Sequence, residues 1–208
     1  IARPAGIAAL GAGESHWLRD VRKLSPEAIA AYKLVSRGSG VVAFPYLLPD
    51  GELVAMKFRS TSEDKYWAEA GGSKALFGWQ AIPKTARSVV LCEGELKALA
   101  FWDYGHPALS VPFGGGDGAK QDWIETEYDR LSRFDLIYLA MDADAPGRSA
   151  AEAIIQRLGT ERCAIVSLPL PAEPGAKCIN ACLKHGVSRA AIDSAIKAAK
   201  PRDPEELH

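Results

Sequence analysis

A change of rhythm near residue 88 constrains the fold most. From there the chain reads as four short apolar runs, "SVVLC" (88–92), "ALSVP" (108–112), "LIYLAM" (136–141) and "CAIVSL" (163–168), separated by segments with helical spacing over 95–104, 119–131 and 147–158. Strands that alternate with helices pair in parallel through crossover connections. The pattern therefore predicts an α/β domain with a parallel sheet flanked by helices over 85–185.

The first third is different in kind. "GVVAFPYLLPDGELVAMKFR" alternates apolar and polar residues on both sides of Pro49-Asp50-Gly51, the pattern of a hairpin. "LSPEAIAAY" places Ser25 to cap a short helix with Pro26 at its first position. Residues 24–84 are thus expected to form a small basic α+β subdomain. Residues 1–23, rich in Ala and Gly, read as a linker or poorly ordered arm. The tail over 186–208 reads as a helix stopped near Pro201 and a linker toward a domain outside the chain.

Bulk properties exclude more than they assign. The net charge is −1 over 208 residues, so nothing draws the whole molecule to nucleic acid or a membrane. No apolar run approaches the ~20 residues needed to span a bilayer. Cys92, Cys163, Cys178 and Cys182 show no disulfide pattern, which fits a reducing cytoplasm. Cys178 and Cys182 with His185 nearby read as helix packing, because a closed zinc site needs more ligands.

Chemistry concentrates at strand ends. Ligands of parallel α/β sheets bind outside the carboxyl ends of the strands. Glu93 follows the first strand in "VVLCEGE", and Asp142 and Asp144 follow the third in "LIYLAMDADAPG". Residues i and i+2 of an extended segment point to one side, so the two aspartates repel unless a cation lies between them. Hard oxygen donors suit Mg²⁺ or Mn²⁺. Each acid alone is ordinary turn chemistry, but three on one edge point to a metal. Phosphotransfer hydrolases carry such aspartates after their first strand, and receiver domains need an acidic pair there, so neither pattern fits as well.

"CEGE" followed by "LIYLAMDADAPG" resembles the Toprim domain of bacterial-type primases, topoisomerases and some nucleases. The intervening "YGHPALSVPFGGGDGAKQDWIE" is similar to the primase half of phage-type primase-helicases, whose relatives include the mitochondrial helicase Twinkle. The resemblance runs from about Leu24 to the tail. It implies an RNA polymerase that makes primers from ribonucleoside triphosphates on a single-stranded DNA template. It also implies a helicase domain and a zinc-ribbon domain outside this chain, and a bacterial or phage-infected cytoplasm or a mitochondrial matrix.

Carried over by residue, the resemblance assigns Glu93, Asp142 and Asp144 to catalysis and divalent-metal binding. Asn180 becomes a supporting residue and Lys177 a contact to template or nucleotide, while Glu95 is either a supporting acid or a helix N-terminal residue favoured by the helix dipole. The chain departs from the pattern at Lys97, where relatives carry an acid. It departs again in "KCINA", where Cys178 and Ala181 replace acids beside the matching Lys177 and Asn180. Those changes bear on a second metal.

"MKFRSTSEDKYW" interleaves Lys57, Arg59 and Lys65 with Phe58, Tyr66 and Trp67. Cations can follow a phosphate backbone while aromatic faces stack on bases. A strand with a solvated charged face is the plainer account, and the K-x-R match to the relatives favours nucleic acid. "FGGGDGAK" is not a phosphate-binding P-loop, since Ala119 separates Gly118 from Lys120. Lys120 is either a nucleotide contact or part of a tight connection. The expected activity is metal-dependent primer synthesis. A Toprim nuclease and a non-catalytic DNA-holding module are the alternatives.

Overall fold

A computed structural model describes residues 2–112 and 121–201. The "FGGG" stretch and Lys120 lie outside the described residues, as does the end of the tail.

Two four-stranded sheets form the frame. The first is antiparallel, in the order β1 (Val35–Gly38), β2 (Val41–Leu47), β3 (Leu53–Ser60) and β4 (Tyr66–Ala68). Its central pair is the expected hairpin, with Tyr46 facing Ala55 and Phe44 facing Lys57 across the turn at Asp50-Gly51. The second is parallel, built from β5 (Ser88–Glu93), β6 (Ala108–Val111), β7 (Leu136–Ala140) and β8 (Cys163–Ile165). Its spatial order is β6-β5-β7-β8. The chain leaves β5 to one side for β6 and returns to its other side as β7. That reversal opens a crevice above the ends of β5 and β7.

Helices occupy the predicted crossovers: α3 (Glu95–Asp103), α4 (Trp123–Leu131) and α5 (Ala145–Leu158). Near the chain's start lie α1 (Ala12–His16) and α2 (Pro26–Ala31), and near its end α6 (Ile179–Lys184) and α7 (Arg189–Ala198). Ser25 caps α2 by accepting from the Ala28 N–H at 3.0 Å, and its own N–H donates to Asp103 at 3.0 Å, tying α2 to the end of α3.

The two sheets share one core. Phe77 stacks on Tyr32 with ring centroids 5.4 Å apart and exchanges backbone hydrogen bonds with Ser110 on β6. The buried Tyr32 hydroxyl reaches the carbonyls of Ala98 on α3 and Ala108 on β6, at 3.2 and 2.7 Å. A second core, on the other face of the parallel sheet, packs Trp123, Ile137, Leu139 and Ile154 under α4 and α5.

The start of the chain corrects the sequence reading. The expected loose arm over 1–23 instead forms α1, which continues into a π-helical turn over Trp17–Val21. Leu18 is fully buried, Ala8 pairs with Ser36, and the Glu14 carboxylate is buried on the Ser36 hydroxyl and the Gly40 N–H. Apolar side chains spaced around one helical turn were present there, but the many Ala and Gly residues concealed them. At the other end the expected helix is α7, which stops before Pro201 and buries Ile192 and Ile196, while Pro201 bridges to Ala164 of β8.

Candidate active site

Two glycines shape the crevice. Gly94 has φ +103°, a conformation that lets the chain turn from the end of β5 straight into α3. At Gly147 a Cβ would stand 2.1 Å from the Asp142 carbonyl oxygen, so only glycine lets α5 start this close to the end of β7. Asp144 caps that helix, its Oδ1 accepting from the Gly147 N–H at 3.0 Å.

The crevice opens into a cleft of about 800 Å³ between the two sheets. One wall is antiparallel sheet, with Lys57 and Arg59 of β3 and Tyr66 of β4. The other is the carboxyl edge of the parallel sheet, with Glu93, Glu95, Lys97 and Asp142. Lys177 and Asn180 close one end. Most of the residues singled out in the sequence therefore converge. Lys65 does not: it is exposed and off the lining, with its carbonyl held by the Ser60 N–H.

The aspartate pair is neutralised by ammonium groups. Lys177 Nζ lies 3.0 Å from Asp142 Oδ2 and 2.8 Å from Asp144 Oδ2, bridging the two carboxylates. Lys97 pairs with Asp142 Oδ1 from the other side. The hydrogen bond from Lys177, together with that from the Gly147 N–H, holds the Asp144 carboxyl below its ordinary range. Its hydrogen bonds to Asp144 and then to Asp142 push the Lys177 ammonium up.

Glu95 is held differently. Its Oε1 accepts from Lys57 at 3.0 Å and from the Tyr46 hydroxyl, while Lys57 also donates to the Pro112 carbonyl. Burial pushes the Glu95 carboxyl up, but the Lys57 charge and the Tyr46 hydroxyl outweigh it and leave it below the usual range. Burial and the Glu95 charge in turn push the Tyr46 hydroxyl well up.

Among the described residues, no group of three or more His, Cys, Asp or Glu is arranged to hold a metal ion. Asp142 and Asp144 converge on the Lys177 ammonium, and they are the residues that would hold a divalent cation. These donors suit a single hard divalent ion. Glu93 lines the same cleft without completing a three-acid set with them.

Arg22 was missed in the sequence. It follows the π-helical turn, lies 5.4 Å from the Trp17 ring centroid and lines the cleft beside Arg59, which lies 5.8 Å from the same ring. Burial, and then repulsion from Arg59, pull its guanidinium below the ordinary value. The usable signal was "HWLRDVR", an aromatic residue interleaved with arginines like the stretch that was recognised.

Comparison with known proteins agrees with this architecture. Residues 90–182 match the Toprim-like family. The chain is 34% identical over 146 residues to an Arabidopsis thaliana protein named primase homolog protein, covering 64% of this chain and 42% of that one. It is 32% identical over 168 residues to the Arabidopsis thaliana Twinkle homolog protein, chloroplastic/mitochondrial, covering 73% of this chain and 23% of that one. It thus spans less than half the length of either relative. The primase fragment of the bacteriophage T7 primase-helicase superposes with a TM-score of 0.69 at 23% identity, over 94% of this chain and 81% of that one. Residues 90–182 are a Toprim-like domain, set in a chain that has the fold of a primase fragment.

Proposed function

We propose that the chain is the primase-type module of a larger protein, one that binds single-stranded DNA template and ribonucleoside triphosphates in the cleft and joins them into short RNA primers. The observation that carries this reading is the convergence of Lys57 and Arg59 from one sheet with Glu93, Glu95, Asp142 and Lys177 at the switch point of the other.

On this reading Arg59 and Arg22 contact the template backbone, and Tyr66, exposed beside them, offers a face for a base. Lys57 is committed to Glu95 and the Pro112 carbonyl, so it fixes the height of the cleft floor. Asp142 and Asp144 orient the reacting end, and a divalent ion shared by them would neutralise charge on the transferring phosphate. Lys177 is placed to follow a triphosphate once it leaves the aspartates. Helicase and zinc-ribbon domains would lie elsewhere in the protein. No described helix is long and apolar enough to cross a membrane, and the free cysteines accord with a reducing cytoplasm or an organelle matrix.

The Lys97 contact to Asp142 favours a second reading, a module that holds DNA without chemistry. Dinucleotide synthesis on single-stranded DNA with Mg²⁺ or Mn²⁺, with a zinc-ribbon domain supplied in trans, separates the two. Product lost in Asp142→Asn supports the enzyme, and background product from the unmodified chain with DNA still bound supports the holder.

A further inference from the structure

The amino end of the parallel sheet, opposite the cleft, carries positive charge that the fold leaves uncompensated. The segments leading into β5, β7 and β8, residues 83–87, 132–135 and 159–162, hold four cations, Lys84, Arg87, Arg133 and Arg162, against two carboxylates, Asp135 and Glu161. Arg87 grips Asp135 through two bonds, at 2.9 and 2.8 Å, so this edge already accepts a carboxylate. The other three cations make no ion pair among the described residues. Arg133 lies over the rings of Trp79 and Phe134, 5.6 and 4.6 Å from their centroids, and donates to the Pro83 carbonyl at 3.4 Å, next to Lys84. Its Nε is buried without a hydrogen-bond partner among the described residues. Burial alone pulls its guanidinium below the ordinary value, with no carboxylate to oppose the shift. Arg162 donates to the carbonyls of Leu131 and Phe134 at 2.6 and 2.8 Å, so it flanks Phe134 together with Arg133.

The chain itself carries the opposite charge toward this edge. Pro201 bridges antiparallel to Ala164, so the direction set there leads toward the amino end of β8. The sequence beyond Pro201 reads "RDPEELH", with Asp203, Glu205 and Glu206 against Arg202. Antiparallel pairing in that register puts position 203 opposite Arg162. Three further residues reach at most about 10 Å, twice the ~4.8 Å strand spacing that separates β8 from β7 and the approach to Arg133. We infer that the acidic segment 203–206 docks on the basic amino edge of the parallel sheet, through Arg162, Arg133 and Lys84, and leads the chain away on the side opposite the cleft. The inference stands apart from the proposed function, since none of these three cations lines the cleft.

The test is the pH titration of the side-chain carboxyl carbons of Asp203, Glu205 and Glu206, followed by NMR on the full chain at low ionic strength. These carboxyls should titrate about half a pH unit below free-peptide values, the size expected of exposed ion pairs. The shift should vanish in about 1 M salt. Arg133→Gln should remove half of it or more, with circular dichroism reporting whether the variant folds. Lys84 is exposed and holds no other side chain, so Lys84→Gln should reduce the shift without disturbing the fold, and it decides the matter if Arg133→Gln does not fold. Free-peptide values in the unmodified chain, or a shift that survives the substitutions, would overturn the inference. So would weaker single-stranded DNA binding by Lys84→Gln with the carboxyl titrations unmoved, since the edge would then belong to nucleic acid.

Discussion

The two walls of the cleft hold their charges in opposite ways. On the strand wall Arg59 pairs with Asp64, whose side chain is 89% exposed. Such a surface pair contributes about 0–1 kcal/mol, so a phosphate can replace the aspartate at little cost. On the parallel-sheet edge two carboxylates are sheltered with their partners: Glu95 is 19% exposed and held by Lys57 from across the cleft, and Asp142 is 10% exposed beside Lys97. One wall is arranged to exchange partners and the other to keep its geometry. Across the cleft five cationic side chains face four carboxylates, so attraction for a polyanion depends on which pairs open.

The largest expected effect lies on the sheltered wall. Asp142→Asn should reduce primer synthesis on the order of 10²-fold or more, the scale seen when one positioned electrostatic group is removed from a reacting centre. Single-stranded DNA affinity, measured by fluorescence anisotropy, should stay within about twofold. An equal fall in both would show that the walls are not separable.

Glu95→Gln sharpens the comparison through stability. Folding lowers the pKa of this carboxyl, so the charged form contributes stability that is complete above the unfolded value near 4.5 and is lost as pH falls through the folded value. Urea titrations should find the variant less stable by about 1–3 kcal/mol at neutral pH, with the gap closing toward strongly acidic pH. A gap that widens in acid would reverse the sign of the argument.

Effects on the exchanging wall should be smaller. Arg22→Ala and Arg59→Ala should each weaken single-stranded DNA binding several-fold and lower the slope of log affinity against log salt by about 0.7, the share of one phosphate contact. Lys65→Ala should change affinity least, because that side chain is off the cleft lining. If Lys65 matters as much as Arg59, the path runs over the outside of β4.

Much of this was legible in the sequence, for physical reasons that can be named. Continuous apolar runs with helical spacers identify parallel strands, and carboxylates directly after those runs fall on one edge, as Glu93 and Asp142 do. Ser25 with Pro26 marked the start of α2. The strand order β6-β5-β7-β8 was not legible, because periodicity carries no information about which strands lie side by side. Nor was the cation between the aspartates. The sequence shows that two neighbouring acids need positive charge, but not that an ammonium from residue 177 meets them in the fold. The helices over 12–21 were hidden because Ala and Gly fit linkers and packed helices alike, and it is the burial of Leu18 and Glu14 that separates the two.

The shared core has a consequence for how the chain comes into being. Tyr32 is synthesised before Ala108, yet its hydroxyl is satisfied by the carbonyl of that residue, 76 positions later. At roughly 5–20 residues per second a ribosome needs about 4–15 s to cover that interval. Throughout it, the aromatic cluster around Tyr32 and Phe44 lacks its lid from β6 and α3. The antiparallel sheet therefore emerges as an unfinished template, and the strand that completes it also lays the first edge of the parallel sheet. Folding of one half is the condition for closing the other, so the cleft between them has no existence before both are done.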